Sequence, residues 1–187
     1  MNHVFVSLAG VVAVLLCGLA PLSAQPASGQ KRMLVLYFSK TGNTKKLAAA
    51  IQKQTGADMV EIVPAVAYPE DYDQTVDIAR KEQDAGARPA AKTRVENIAS
   101  YDVVFLGYPS WWGTMPMAVF TFLEAHDLSG KTLVPFTTHE GSGFGRSVAD
   151  LRRLCPKSTI LDGLAIRGRD ADTAETSVPA WLQGLKF

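Results

Sequence analysis

The sequence holds only two cysteines, Cys17 and Cys155, among 187 residues. Cys17 falls in an apolar leader, so a chain trimmed of that leader keeps one thiol and forms no internal disulfide. Its fold must stand on packing alone, even in an oxidising compartment. Net charge is scarce as well: 19 Lys and Arg stand against 18 Asp and Glu, a formal +1 at pH 7. No strong field recruits nucleic acid, and basic patches with interleaved aromatics do not occur. Repeats and low-complexity segments are absent. A phosphatase loop is excluded, because it needs an arginine six residues after its cysteine and Leu161 stands there after Cys155. A response-regulator site is excluded too, since Ser39 and Pro109 occupy the strand ends that would need carboxylates.

What the chain does have begins with an uncharged run, "VFVSLAGVVAVLLCGLA", followed by small residues in "PLSAQPASGQ". This reads as the apolar region and cleavage zone of a secretory signal, with Ala24 the last residue before the cut. The "MNH" ahead of it carries no Lys or Arg. A short membrane anchor is the competing reading, because the run approaches the roughly 17 residues that a span needs. A lipid attached to Cys17 would want a small residue before it, and Leu16 is there. The expected organisation is a cleaved signal peptide at 1–24, a linker at 25–31 and one domain at 32–187. The mature form is expected in the periplasm, without membrane contact.

Strand-like and helix-like patterns then alternate. "MLVLYFS" (Met33 to Ser39) is nearly all apolar, as expected of a strand covered on both faces. "MVEIV" (Met59 to Val63), "DVVFLGYPS" (Asp102 to Ser110), "KTLVPFTTH" (Lys131 to His139) and "STILDGLAI" (Ser158 to Ile166) follow, the last bent or interrupted at Gly163. Between them, Leu47, Ala48 and Ile51 fall at helical spacing. "YPEDYDQTVDIARKEQDAG" has acids in its first turn and Gly86 at its end. Met117, Phe120 and Leu123 mark a helix after Pro116, and Val148, Leu151 and Cys155 mark another. Val178, Trp181, Leu182 and Leu185 make a final helix, with Ser177 as its cap and Pro179 in its first turn. The alternation predicts an α/β fold, a five-stranded parallel sheet with helices on both faces. Ligands of such sheets bind beyond the carboxyl ends of the strands, at the switch point in strand order.

Three loops sit at such ends. "SKTGNT" follows the first strand: Ser39, Thr41 and Thr44 offer hydroxyls, Gly42 permits a tight turn, and Asn43 tolerates left-handed or capping geometry. Successive N–H groups at a helix start make a nest for a dianion. The loop is neither a Walker loop nor a dinucleotide fingerprint. "YPSWWGTMP" follows the third strand, with Trp111 and Trp112 between Pro109 and Gly113. It reads as a stacking surface for a flat aromatic ligand; a hydrophobic lid or a protein-contact patch is the alternative. "TTHEGSGFG" follows the fourth strand, and its three glycines let backbone approach a ligand edge; a flexible loop closing the sheet end is the alternative. Together the loops ask for a phosphate, a linker and a planar ring with a polar edge. Flavin mononucleotide (FMN) fits. A nucleoside triphosphate fits poorly, since no lysine takes the Walker position and no neighbouring strand ends in a carboxylate for magnesium.

From about Lys31 to Phe187 the chain resembles the flavodoxin-like family, in the bacterial group with a YPSWWGTMP-type second loop and a GSGFG-type third loop. The resemblance implies a doubly wound five-stranded parallel sheet in the order 2-1-3-4-5, non-covalent FMN and one- or two-electron transfer. The cofactor-binding residues it implies are Ser39, Lys40, Thr41, Gly42, Asn43 and Thr44 in the first loop. In the second they are Pro109, Ser110, Trp111, Trp112 and Gly113, and in the third Thr138, His139, Glu140, Gly141, Gly143 and Phe144. His139 and Glu140 depart from the small or hydroxyl residues usual there. No catalytic residue and no metal ligand is expected, because FMN carries the chemistry.

The expected function is electron transfer with redox protein partners or a small-molecule acceptor, by a monomer or weak dimer. The alternative is an NAD(P)H-dependent quinone or nitro-group reductase, which needs a second pocket over the flavin, usually completed by a dimer partner. A binding module that uses the fold without flavin is a third reading. Cys155 and Trp181 read as core residues, and Tyr68 as packing against its own turn.

Overall fold

Strands that are apolar on both sides need helices on both sides of their sheet, and that is how this chain is built. A computed structural model describes residues 31–186, together with Met1 and Gly29. The signal peptide expected at 1–24, and most of the linker expected at 25–31, lie outside the described residues. The chain divides into two units after Gln30, and the domain is the second, Lys31–Phe187.

In chain order the elements are β1 (Met33–Tyr37), α1 (Asn43–Thr55), β2 (Asp58–Glu61), α2 (Tyr72–Asp84), β3 (Val103–Pro109), α3 (Met117–Glu124), β4 (Thr132–His139), α4 (Ser147–Leu154), β5 (Thr159–Ile160), β6 (Leu164–Arg167) and α5 (Ala174–Gly184). Short 3-10 turns span Ile98–Ser100 and Gly168–Thr173. The strands are parallel in the order β2-β1-β3-β4-β5, with β6 also pairing β4. This is the order that the family resemblance implied.

The two-residue period of a strand divides the core. Leu34, Leu36, Val104 and Leu106 face one side with Val119, Phe122 and Leu151 of α3 and α4. Val35, Tyr37, Val103 and Phe105 face the other, with Leu47 and Ile51 of α1 and Val178 of α5. Trp181 packs edge-on to Phe105 at 6.0 Å and donates its indole N–H to the Asp162 carbonyl at 3.2 Å. Cys155 is buried at the end of α4, and burial pushes its thiol up to about 11.

The interruption expected at Gly163 is real, and its cause lies in the neighbouring strand. Leu133 pairs with Ile160 and Phe136 with Leu164, so three steps along β4 meet four along its partner. Odd-numbered residues along β4 and just before it turn their backbone to this partner: the Lys131 and Leu133 carbonyls accept from Thr159 and Leu161. Pro135 therefore faces the gap with no N–H to give. Gly163 passes so close that a Cβ there would lie 2.4 Å from the Pro135 carbonyl oxygen and 2.5 Å from Phe144 Cζ.

The start of the last helix differs from the expected one. α5 begins at Ala174 because the 3-10 turn Gly168–Thr173 runs straight into it. Ser177 is thus no cap; its hydroxyl donates back to the Thr173 carbonyl at 3.2 Å. Pro179 stands inside the helix instead of in its first turn.

Gly107 in β3 has ordinary strand geometry but no room for a side chain: a Cβ would meet Phe136 Cζ at 2.1 Å. Gly107→Ala is expected to destabilise the domain by about 1–3 kcal/mol through overpacking, read as a lower urea midpoint with unchanged slope. Adding Phe136→Leu should recover part of that loss; a double variant weaker than the sum of the singles would contradict this packing account.

Candidate functional site

β1, β3 and β4 lie side by side, so their carboxyl ends bring three polar loops together. In the first loop, Ser39 Oγ accepts from the N–H of Gly42 at 3.2 Å and of Lys45 at 3.3 Å. Ser39 is therefore turned into the loop that it shapes. Gly42 caps α1 in the left-handed region, with φ 89°, a conformation that costs glycine little. Among the described residues, no acceptor takes the N–H of Thr41, Asn43 or Thr44. Three unpaired amides at the positive end of a 13-residue helix form a donor set suited to a phosphate. Of the nearby lysines, Lys40 pairs with Glu70 at 3.2 Å and Lys46 with Asp172 at 2.6 Å, while Lys45 is exposed.

The loops are bonded to one another. Thr44 Oγ1 and Thr138 Oγ1 meet at 2.9 Å, both buried. The Ser110 N–H donates to the Thr138 carbonyl at 2.8 Å, and Ser110 Oγ lies 2.9 Å from Ser142 Oγ. The Arg146 N–H donates to the Gly113 carbonyl at 2.8 Å. Gly145 comes so near that a Cβ would lie 2.3 Å from that same oxygen.

The second loop is a tight hairpin. Trp111 and Thr114 exchange backbone hydrogen bonds at 2.8 and 3.1 Å. Between them Trp112 (φ 50°) and Gly113 (φ 76°) are both left-handed, the conformation of a type I′ turn. Trp112 is the single non-glycine residue with positive φ among the described residues. Its indole N–H donates to the Val76 carbonyl at 3.1 Å, and Arg80 lies 4.9 Å from its ring. Trp111 packs edge-on to Phe38 at 5.4 Å and to Tyr68 at 4.9 Å. The Tyr68 hydroxyl donates to Glu82 at 2.6 Å. Burial is the main cause that raises Tyr68 far above the ordinary phenol range, and burial also lifts Glu82 against the lowering effect of that bond.

In the third loop, His139 Nδ1 accepts the Gly141 N–H at 2.9 Å, which leaves the proton of neutral imidazole on Nε2. Gly168 is buried so close to this loop that a Cβ would lie 2.4 Å from Glu140 Oε1 and 2.9 Å from Asn43 Nδ2. Phe144 is half-buried and packs against the core. That packing anchors the third loop. The Tyr108 hydroxyl donates to Ser147 Oγ at 2.9 Å, and Ser147 donates to the Phe144 carbonyl at 2.6 Å, which fixes the loop's far end.

A chamber of about 410 Å³ opens beside these loops. Lys40, Thr41, Thr44, Pro109, Ser110, Trp111 and Trp112 line it, and so do Glu70, Tyr72, Thr75, Val76 and Ala79 from α2 and its approach. No third-loop residue does. The α2 wall is not among the sequence-derived candidates. Its signal is a weak apolar face: Thr75 and Ala79 are the only residues of α2 that are buried, too small to fill the space under a helix.

The flavodoxin family model matches residues 32–185, and the chain belongs to that family. A flavodoxin 1 of Shigella flexneri is 25% identical over 142 residues, 74% of this chain and 64% of that protein's length. The chain thus spans less than two-thirds of that relative. A Bacteroides eggerthii protein solved as a candidate flavoprotein is 37% identical, with TM-score 0.74, covering 84% of this chain and all of the other. A Lactobacillus acidophilus flavoprotein solved in complex with FMN shares the fold, with 21% identity, TM-score 0.67 and coverage of 82% and 99%.

The buried Thr44–Thr138 pair gives a double-mutant test. Thr44→Val or Thr138→Val strands the remaining hydroxyl and should cost about 1–3 kcal/mol. The double variant should cost clearly less than the sum. Simple additivity in urea unfolding would show that the two hydroxyls do not interact.

Proposed function

We propose that the protein binds FMN non-covalently across its three loops and serves as an electron-transfer flavoprotein. The observation that carries this reading is the set of unpaired amides of Thr41, Asn43 and Thr44 at left-handed Gly42, tied through Thr138 to both other loops. FMN, when bound, supplies one- and two-electron chemistry. The chain's own part is to hold and orient. The three amides and the α1 dipole would hold the phosphate, with Lys40 and Lys45 raising the local positive potential. The backbone of Pro109–Gly113 and of 138–143 would hold the polar edge of the ring, and Trp111, held edge-on by Phe38 and Tyr68, would help to exclude water from the site. The fold shared with an FMN complex supports the choice of cofactor. Partners are redox proteins or small acceptors, met by a monomer or weak dimer.

Fluorescence titration tests the phosphate assignment. FMN should bind at least about 100-fold more tightly than riboflavin, the worth of two charge-assisted hydrogen bonds. Gly42→Val should narrow that gap. Equal affinity for the two flavins, or none for either, refutes the reading.

The uncharged run at 4–20 followed by Ala24 supports export. Expressed with its own leader in a host competent for secretion, the protein should appear in the periplasmic fraction with a mass that starts at Gln25. A full-length chain retained in the membrane fraction would instead support the anchor.

A further inference from the structure

The third loop is fastened firmly at both ends and lightly at its tip. Thr138 is held by Thr44 and Ser110. Phe144 packs against the core, and Ser147 ties its carbonyl to the Tyr108 hydroxyl. Between them, among the described residues, two side-chain hydrogen bonds hold residues 139–143. The Gly141 N–H donates to His139 Nδ1 at 2.9 Å, and Ser142 Oγ lies 2.9 Å from Ser110 Oγ. Gly141 has φ 144°, and glycine is free to take many other conformations. The bond from His139 is what selects this one.

That bond has the form of an Asx turn, in which an asparagine or aspartate side chain accepts the N–H two residues on. Histidine Nδ1 and asparagine Oδ1 both follow Cγ, so the two acceptors have the same reach. They differ in one respect. The asparagine oxygen accepts at every pH, whereas imidazole accepts only while neutral; once protonated, both its nitrogens are donors. Imidazole takes up its proton between about pH 5 and 8, and His139 is half-buried, within reach of water. The charges around it carry both signs. Arg167 is its register partner on β6, and Glu140 follows it in the chain. Arg146 pairs with Asp150, Arg169 with Asp170 and Lys46 with Asp172, while Lys45 is exposed on the first turn of α1. On the β3 side, Pro109 and Ser110 carry no charge.

We propose that His139 is a positioning residue that works as a proton-operated latch on the third loop. Neutral, its Nδ1 holds the Gly141 amide and keeps residues 139–143 in their observed turn. Protonated, it sets one N–H against another, the bond is lost, and the fraction of chains with the loop set for a ligand falls. Affinity for the flavin falls with that fraction. This consequence rests on the FMN reading, whereas the latch itself does not.

The test follows the Gly141 amide by nuclear magnetic resonance in the mature protein without flavin, from about pH 7.5 to about pH 5. Its signal should move together with the His139 ring nitrogens in a single titration. His139→Ala, which has no acceptor, should place the signal near its acid position already at neutral pH, and His139→Asn should abolish the titration. FMN affinity is then measured by fluorescence at both ends of the range. The acid-to-neutral ratio of Kd should be at least about fivefold larger in the parent than in His139→Asn. The flavin phosphate titrates in the same range, and His126 Nε2 accepts the Val95 N–H at 3.3 Å; both are common to parent and variant and cancel in that comparison. A Gly141 signal that ignores the His139 titration, or that titrates equally in His139→Asn, overturns the latch. Equal Kd ratios, or a smaller one in the parent, overturn its action on the ligand. If neither protein binds FMN, the proposed function falls, and the Gly141 signal still decides the latch.

Discussion

Thr138, the last residue but one of β4, bonds in two directions from one buried position. Its hydroxyl meets Thr44 at the start of α1, and its carbonyl takes the N–H of Ser110 after β3. Loops at three separate strand ends would each cost ordering entropy when a ligand arrives, about 1–2 kcal/mol for each residue fixed. Tying them to one strand residue spends that entropy during folding, so that binding starts from loops already in place. The geometry allows it only because β1, β3 and β4 are adjacent, which the sheet order provides. Thr138 also stands three residues past Pro135, on the strand whose other partner is broken. Phe136, Thr137, Thr138 and His139 are gripped by β6 only because the bulge at Gly163 restores the register.

The hairpin of the second loop carries a conformational cost that its surroundings offset. A non-glycine residue in the left-handed region costs about 1–2 kcal/mol. The indole hydrogen bond to Val76 returns about 0.5–1.5 kcal/mol, and an exposed cation–π contact with Arg80 about 0.5–1 kcal/mol. The terms are comparable, so Trp112 holds its turn because α2 is there. The turn in turn fixes where the Gly113 carbonyl points, and that carbonyl is the one bonded by Arg146. The shape of the loop nearest the proposed flavin edge therefore depends on α2, a helix outside all three loops.

Much of this was legible in the sequence for a simple reason: strands buried on both faces write themselves as apolar runs. β1, β3 and β4 lie where "MLVLYFS", "DVVFLGYPS" and "KTLVPFTTH" place them, within a residue or two. The three loops follow from those ends. Other features depend on partners distant in the chain. The break before β6 was visible as Gly163, but its cause, a proline without an N–H on the adjacent strand, needs the pairing to be known. Phe144, one of the cofactor residues that the resemblance implied, packs partly buried against the core beside Gly163, a contact that only the folded chain brings together. The start of α5 was displaced from Ser177 to Ala174 by a 3-10 turn with no apolar period of its own. The α2 wall escaped notice because its signal is a deficit, a helix with too little apolar surface to fill the space beneath it.

That deficit has an energetic meaning. α1 buries Thr44, Leu47, Ala48, Ala50 and Ile51, whereas α2 buries only Thr75 and Ala79. At roughly 25 cal/mol per Å² of apolar area, α2 contributes little to the hydrophobic core. Side-chain contacts fasten it instead: Tyr68 with Glu82 and Trp112 with Val76 and Arg80, with the Glu70–Lys40 pair just ahead of its first residue. Elements with few buried apolar contacts open at the lowest free energies, and walls that must admit a ligand are drawn from them. The sheet ends and α1 form a rigid floor, and the wall facing that floor is the helix least committed to the core. The side of the chamber opposite the sheet ends is thus a helix whose buried side chains are only Thr75 and Ala79, while Thr138 keeps the three loops joined.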